Sequence, residues 1–168
     1  NLDAGNVIPN GFIARTVIDP QNVNTAYVTL SAFGVVNIWK TTNLNAGSPT
    51  WTAITSGIPQ VPVNAFVVDH TNSNNLYAGT DIGVYASSDG GASWSPLGTA
   101  LPVVAVFDMA ITAGSQLRIA THGRGMWQHP VTLTTAPTVT INQAGAQPDP
   151  TSASPINFTV IFSEAVTG

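Results

Sequence analysis

Short runs of alternating apolar and polar residues, each ended by a turn, recur along the chain. The first is Ile13-Ala14-Arg15-Thr16-Val17-Ile18-Asp19-Pro20, followed by Ala26-Tyr27-Val28-Thr29-Leu30 and by residues 36–42, and the group closes near Trp51. Alternation over four to eight residues between turn signals predicts half-buried strands. The series returns at residues 65–70, 76–80 and 83–88, closing at Trp94. It returns again at 107–111, 117–121 and 125–128, with Trp127 inside the last run.

The spacing sets the architecture. Val17-Ile18-Asp19 recurs 50 positions on as Val67-Val68-Asp69, Trp51 recurs 43 on as Trp94, and Leu76 recurs 41 on as Leu117. Short strands at a period of about 40–50 residues predict propeller blades, each a four-stranded antiparallel sheet. In the second unit the strands are expected at 64–69, 75–80, 83–87 and 94–97. The third unit has no hairpin after Trp127, so its outer strand is expected from elsewhere, by 131–133 folding back or from another chain. Three units fall short of the roughly four to eight blades of a ring. Further blades are therefore expected N-terminal to Asn1, with residues 1–10 a loop entering the first unit. A β-sandwich of similar strand count is the alternative.

The hairpin of the second unit reads Ser87-Ser88-Asp89-Gly90-Gly91-Ala92-Ser93-Trp94. Asp89 is placed to accept backbone N–H groups of its own turn, and Gly90 and Gly91 tolerate positive φ. Ser87 and Ser93 add hydroxyls at the strand ends, and Trp94 supplies a large apolar anchor. This S-x-D-x-G-x-S-W pattern resembles the Asp-box of sialidase-, sortilin- and xyloglucanase-type β-propellers. The first unit keeps a Gly and Trp51 of that pattern, with Asn43 or Asn45 in place of the Asp. Thr121-His122-Gly123-Arg124-Gly125-Met126-Trp127 is similar to a segment that closes the last blade of such propellers. The resemblance implies that Ser87, Asp89, Gly91, Ser93 and Trp94 are structural and lie on a rim away from any active centre.

A boundary is expected at 132–137, after which the pattern changes. Two alternating runs, 137–143 and 156–162, flank a polar Gly/Pro-rich turn. They resemble the opening of a bacterial immunoglobulin-like domain, and residues 163–168 match the segment that follows. Val139, Ile141, Phe158, Val160 and Phe162 alternate toward a core that these two strands do not supply. The expected organisation is therefore all-β. Residues 1–134 form about three C-terminal blades of a partial Asp-box propeller, and 135–168 form the first strands of a truncated immunoglobulin-like sandwich.

Composition narrows the function. Charged residues make up 7% of the 168, against about 25% in an average soluble protein. The net charge is −4 with four basic residues, Arg15, Lys40, Arg118 and Arg124, scattered along the chain. No basic stripe exists to meet a phosphate backbone, so nucleic acid is not an expected partner. Cysteine is absent, which removes disulfides and thiolate chemistry. No apolar run approaches the roughly 18 residues that cross a bilayer, and Asn1 opens no charged-then-apolar leader. A Cys-free, Asn/Thr-rich chain of this kind is expected to be bacterial and extracellular, secreted or at the cell surface.

Eight carboxylates are present. Asp19 and Asp69 recur at one blade position, which points to turn formation. Asp81, in the turn between the second and third strands, and Asp108, in an inner strand, are the catalytic candidates, weighed against plain solvated channel residues. His122, Arg124 and Trp127 are candidates for ligand or inter-blade contacts. His70, His122 and His129 have no metal-ligand spacing, and no metal or cofactor is expected. Tyr27, Tyr77 and Tyr85 sit in repeat strands as core residues rather than as a sialidase-type nucleophile. The leading expectation is a binding or scaffolding module, non-catalytic in these residues. Its partners would be remaining blades, immunoglobulin-like modules or neighbouring subunits, with carbohydrate as the ligand class the resemblance implies. The alternatives are a piece of a propeller glycoside hydrolase, with its active site shared with other blades, and a structural subunit that assembles by strand sharing.

Overall fold

Four antiparallel sheets, each formed by strands consecutive in sequence, account for the regular structure of a computed structural model. It describes residues 2–3, 5–98, 101–113, 115–131, 139–145, 148, 150, 152 and 154–162. Among them are thirteen strands and no helix. Sheet 1 contains β1 (Ile13–Asp19), β2 (Asn22–Leu30), β3 (Ile38–Thr41) and β4 (Thr52–Ala53). Sheet 2 contains β5 (Val63–Val68), β6 (Leu76–Thr80), β7 (Gly83–Ser87) and β8 (Ser95–Pro96). Sheet 3 contains β9 (Val106–Thr112), β10 (Gln116–Thr121) and β11 (Met126–Pro130), and β12 (Val139–Gln143) pairs with β13 (Phe158–Phe162). The chain divides into two compact units, Asn1–Leu133 and Thr134–Gly168.

Pleat alternation explains how the first unit stacks. Val17, Tyr27 and Ile38 leave one face of sheet 1 and meet Phe66, Val68, Leu76, Ala78 and Tyr85 of sheet 2. The opposite face of sheet 2 carries Ala65, Val67, Tyr77, Val84 and Ala86 against Met109, Ile111, Leu117 and Ile119 of sheet 3. Sheet 2 is thus covered on both faces, and every residue of β6 and β7 is buried. A sandwich would put strands distant in sequence side by side in one sheet. Here each sheet is a complete meander packed on the next, which is blade stacking.

Short connections repeat as well. Each inner strand follows an apolar-Pro pair at the same distance: Ile8-Pro9 before Ile13, Ile58-Pro59 before Val63, and Leu101-Pro102 before Val106. Ile58 is buried between sheets 1 and 2, and Ile8 packs on Val28, Leu30 and Trp39 of sheet 1. Within the expected entry loop, Ile8-Pro9 therefore has the same build as the connections that precede β5 and β9.

The fourth strands are shorter than the expected 94–97, because Trp94 leaves the ladder to pack inward and only Tyr85↔Pro96 and Ala86↔Ser95 pair. Sheet 3 has three strands among the described residues. Val131 does not fold back beside β11: its amide donates to the Ser115 carbonyl at 3.1 Å and prolongs the β10–β11 ladder. Residues 132 and 133 lie outside the described residues, as does the boundary expected at 132–137.

In the second unit, Val139, Ile141 and Gln143 stand opposite Phe162, Val160 and Phe158. These side chains share one face, and its apolar members are exposed. The run 163–168 expected to continue a sandwich lies outside the described residues.

Candidate functional site

Two regions gather polar side chains: the hairpin rim, and the opposite ends of the inner strands. On the rim, the Ser87 hydroxyl donates to Asp89 Oδ1 at 2.7 Å and accepts the amides of Gly91 (2.9 Å) and Asp89 (3.3 Å). Asp89 accepts the Ser93 amide at 2.9 Å and the Ser93 hydroxyl at 2.5 Å. The Ser93 hydroxyl and amide hold the Asp89 carboxyl down to about 2; its slight burial opposes this, and the Ser87 hydroxyl and Ala92 amide assist. Every one of these bonds favours the charged form.

Trp94 anchors the hairpin to the preceding blade as well as to its own. Its indole N–H donates to the Ile54 carbonyl at 2.7 Å, and its ring meets Phe66 with centroids 6.1 Å apart. Gly57 and Gly91 make the close approach possible. Both hold positive φ, and a Cβ would lie 2.3 Å from the Trp94 carbonyl oxygen at Gly57 and 2.6 Å from Ile54 Cδ1 at Gly91. Lys40 of sheet 1 donates to the Gly90 carbonyl at 3.0 Å.

Sheet 1 repeats the rim with Asn43. Its carbonyl oxygen accepts the Thr41 hydroxyl (2.8 Å), the Thr50 amide (2.9 Å) and the Thr50 hydroxyl (3.2 Å). Between the two residues left open by the sequence, Asn43 takes the place of Asp89, while Asn45 donates its amide to Asn24. The indole of Trp51 donates to the Leu2 carbonyl at 2.8 Å, as Trp94 does to Ile54.

Asp19 and Asp69 close the neighbouring turns. Asp19 accepts the Gln21 amide (2.9 Å) and the Ser73 hydroxyl (2.6 Å). Asp69 accepts the Thr71 amide (2.8 Å) and hydroxyl (2.7 Å), and Asn75 Nδ2 at 3.2 Å. Burial pushes the Asp69 carboxyl up, but the Thr71 and Asn75 hydrogen bonds and nearby His70 outweigh it and leave it lowered. These carboxylates build turns.

The opposite ends of the inner strands have a different chemistry. Each carries a bulge near its N-terminus, between Ile13 and Arg15, between Val63 and Ala65, and between Val106 and Asp108. A bulge breaks the two-residue alternation and re-aims a side chain. Asn64, released in this way, accepts the Ser31 hydroxyl at 2.7 Å and donates to Asp81 at 2.8 Å. Phe107 packs on the His122 ring with centroids 5.2 Å apart. Arg15 reaches from sheet 1 past β5 to Asp108 Oδ1 at 2.9 Å and the Phe107 carbonyl at 3.3 Å.

Of the candidates singled out in the sequence, Asp108 and His122 therefore share one cluster, together with Arg15 and Phe107. Asp81 belongs to a separate chain of hydrogen bonds through Asn64 and Ser31. Arg124 contributes its carbonyl, which accepts the Trp127 indole at 2.8 Å; the inter-sheet ion pair belongs to Arg15. Sequence reasoning missed Arg15, Asn64 and Phe107. Their common signal, legible only once the repeats are aligned, is their place five to seven residues beyond an apolar-Pro pair. Among the described residues no group of three His, Asp or Glu is arranged to hold a metal.

Comparison with solved structures identifies this class of fold as the β-propeller. The chain is similar to an ancestral GH74 enzyme, with a TM-score of 0.57 and 23% identity over 68% of this chain and 14% of that one. It is also similar to a gluconolactonase from Xanthomonas campestris, with a TM-score of 0.50 and 21% identity over 71% of this chain and 38% of that one. At these identities the likeness shows the fold alone: an all-β partial propeller. The chain spans well under half the length of either protein. No protein-family model and no curated protein matches it.

Proposed function

We propose that this chain is a binding and scaffolding part of a larger extracellular bacterial propeller protein, and that its own residues are non-catalytic. Ser87–Trp94 is an Asp-box in this reading, and β12–β13 open an immunoglobulin-like module. The reading rests chiefly on the use of the carboxylates. Asp19, Asp69 and Asp89 accept backbone amides in turns, Asp81 is held by Asn64, and Asp108 is paired with Arg15. A glycosidase needs one carboxyl group to give a proton and a second to act as base or nucleophile. Each of these five carboxylates is engaged in a turn, a hydrogen bond or an ion pair, the use expected of structural groups.

The exposed Phe107 beside His122, Arg15 and Asp108 is suited to a sugar, with an apolar ring face and charged hydrogen-bonding groups around it. Soluble β-glucan and xyloglucan oligosaccharides are the probes, with calorimetry for binding and reducing-end release for cleavage. Binding without cleavage is expected, about five- to thirtyfold weaker in Phe107→Ala, since losing an aromatic face costs on the order of 1–2 kcal/mol.

The likeness to a GH74 enzyme favours the second reading, part of a glycoside hydrolase completed by other blades. Release of reducing ends by this chain, abolished in Asp108→Asn or Asp81→Asn, would establish that reading in place of the first.

A further inference from the structure

One place in the repeat, directly after the apolar-Pro pair, is occupied by Asn10, Gln60 and Val103. All three are exposed. Gln60 and Val103 lie in connections between sheets that pack on each other, so the stacking of blades does not bury this position. Asn10 is therefore open to solvent by virtue of its place in the repeat. The residue that follows differs: Gly11, Val61 and Val104. Gly11 answers a packing demand, since a Cβ there would lie 2.9 Å from Leu30 Cδ2. The result is the chain's single Asn-Gly pair, exposed at both residues. Among the described residues, no hydrogen bond holds the Asn10 carboxamide or the Gly11 amide.

We infer that Asn10-Gly11 is a site of spontaneous covalent modification, at which Asn10 loses ammonia and becomes aspartate or isoaspartate. Hydroxide takes the proton of the Gly11 backbone nitrogen, and that nitrogen attacks Asn10 Cγ. The new N–Cγ bond forms, the Cγ–Nδ2 bond breaks, and the departing nitrogen takes a proton from water to leave as ammonia. Water then adds to one of the two carbonyls of the resulting succinimide and opens the five-membered ring. Opening on the side-chain side restores the backbone with an aspartate; opening on the other side leaves isoaspartate, with the backbone routed through the side chain. The attack is intramolecular and needs no encounter of two molecules, and the missing Cβ of Gly11 leaves its nitrogen unobstructed. Water is the only co-reactant. Either product adds a negative charge to a chain of net charge −4, just before β1 begins.

The chain's single Asp-Gly pair, Asp89-Gly90, offers the same glycine in a protected setting. The Gly90 amide donates to the Asn74 carbonyl at 3.0 Å, and the Asp89 carboxylate is held by the Ser93 amide and hydroxyl. Held down to about 2, that carboxyl stays ionised and resists a nucleophile. Ring closure there waits on opening of the hairpin. In the second repeat, Gln60 has one methylene more than asparagine and would need a six-membered ring, and the branched side chain of Val61 crowds the attacking nitrogen. The fold thus leaves the first repeat as the reactive one.

Incubation of the whole folded chain at mildly alkaline and mildly acidic pH, followed by digestion in acid and mass spectrometry of the peptides, is the test. The peptide that contains residue 10 is expected to gain one dalton, faster at the alkaline pH because the attacking nitrogen must lose its proton. An isoaspartate methyltransferase is expected to label the same peptide. Isoaspartate at residue 89 is expected to form at least about tenfold more slowly, since reaction there waits on local opening. In unfolding urea both sites are expected to react, which assigns the difference to the fold. Asn10→Gln is expected to stop the change with the fold kept, because Gln60 already fills that place in the second repeat. Protection of residue 10 in the folded chain with reaction in urea would overturn the inference, and so would equal rates at residues 10 and 89 in the folded chain. None of these outcomes depends on whether the chain binds a sugar.

Discussion

Asp89 and Ser87 divide the work of the hairpin unequally. The Asp89 carboxylate is exposed and its Ser93 partners are exposed, so water replaces it when it is lost. Asp89→Ala is expected to cost about 1 kcal/mol, an ordinary net hydrogen bond. Ser87 is 2% exposed and accepts the buried Gly91 amide. Ser87→Ala strands that donor and is expected to cost about 1–3 kcal/mol. Urea titration of the two variants ranks them, and a larger loss for Asp89→Ala would contradict the assignment.

Acid is expected to weaken the same turns. The folded-state carboxyls of Asp89 and Asp69 both lie below the ordinary value of 3.8. A depressed folded pKa gives stability that is present above the unfolded value and lost as pH falls through the folded one. The loss is therefore expected below about pH 4, continuing toward 2, and Asp89→Asn should flatten that limb of a stability–pH curve. Equal acid sensitivity in the variant and the parent chain would mean that Asp89 is not a contributor. By contrast, Arg15 and Asp108 are 41% and 69% exposed, and a double-mutant cycle between them is expected to give less than about 1 kcal/mol. Either residue can be changed to test binding without unfolding the chain. Asp89 was legible in the sequence because a turn carboxylate acts on neighbours a few positions away. Arg15 was not, because its partner is 93 residues distant.

At the scale of elements, the inter-blade joint at Gly57 and Trp94 carries more stability than its two short strands suggest. The alanine Cβ of Gly57→Ala would meet the Trp94 carbonyl oxygen at 2.3 Å, backbone that cannot swing aside. Gly123 also holds positive φ, but nothing lies within 4 Å of its Cβ position. Gly123→Ala is expected to cost about 1 kcal/mol from its φ alone, and Gly57→Ala clearly more. Trp94→Phe keeps the packing but removes the bond to the Ile54 carbonyl, an expected loss of about 1 kcal/mol. Trp94→Ala is expected to lose about 3–5 kcal/mol. Thermal or urea unfolding of the four variants checks this order, and equal effects of the two glycine changes would remove the joint from the account.

Strand positions were readable to within one or two residues through β1, β3, β5–β7 and β9–β11, since short apolar runs between turn signals mark strands; β2 begins four residues before the expected 26. The bulges were not, because one extra residue in a strand leaves no mark in an apolar–polar pattern. Ile8-Pro9 passed as a loop for a related reason. A connection buried between sheets has too few residues to show a period.

At the scale of the molecule, the central claim is that sheets 1, 2 and 3 stack as consecutive blades, with sheet 2 enclosed by sheets 1 and 3. The repeat period made the blades legible. It could not say which faces are covered, since coverage depends on the neighbour. Trp39 and Tyr85 are each 8% exposed, while Trp127, at the matching place in sheet 3, is 38% exposed because β11 has no described strand beside it. Native-state hydrogen exchange of the whole chain, followed peptide by peptide, tests the stacking most directly. The account predicts slowest exchange in β6 and β7, opening only with the whole unit, faster exchange at β11, and near-unprotected amides in β12 and β13. Equal protection across all three sheets, or the slowest exchange in sheet 3, would contradict it.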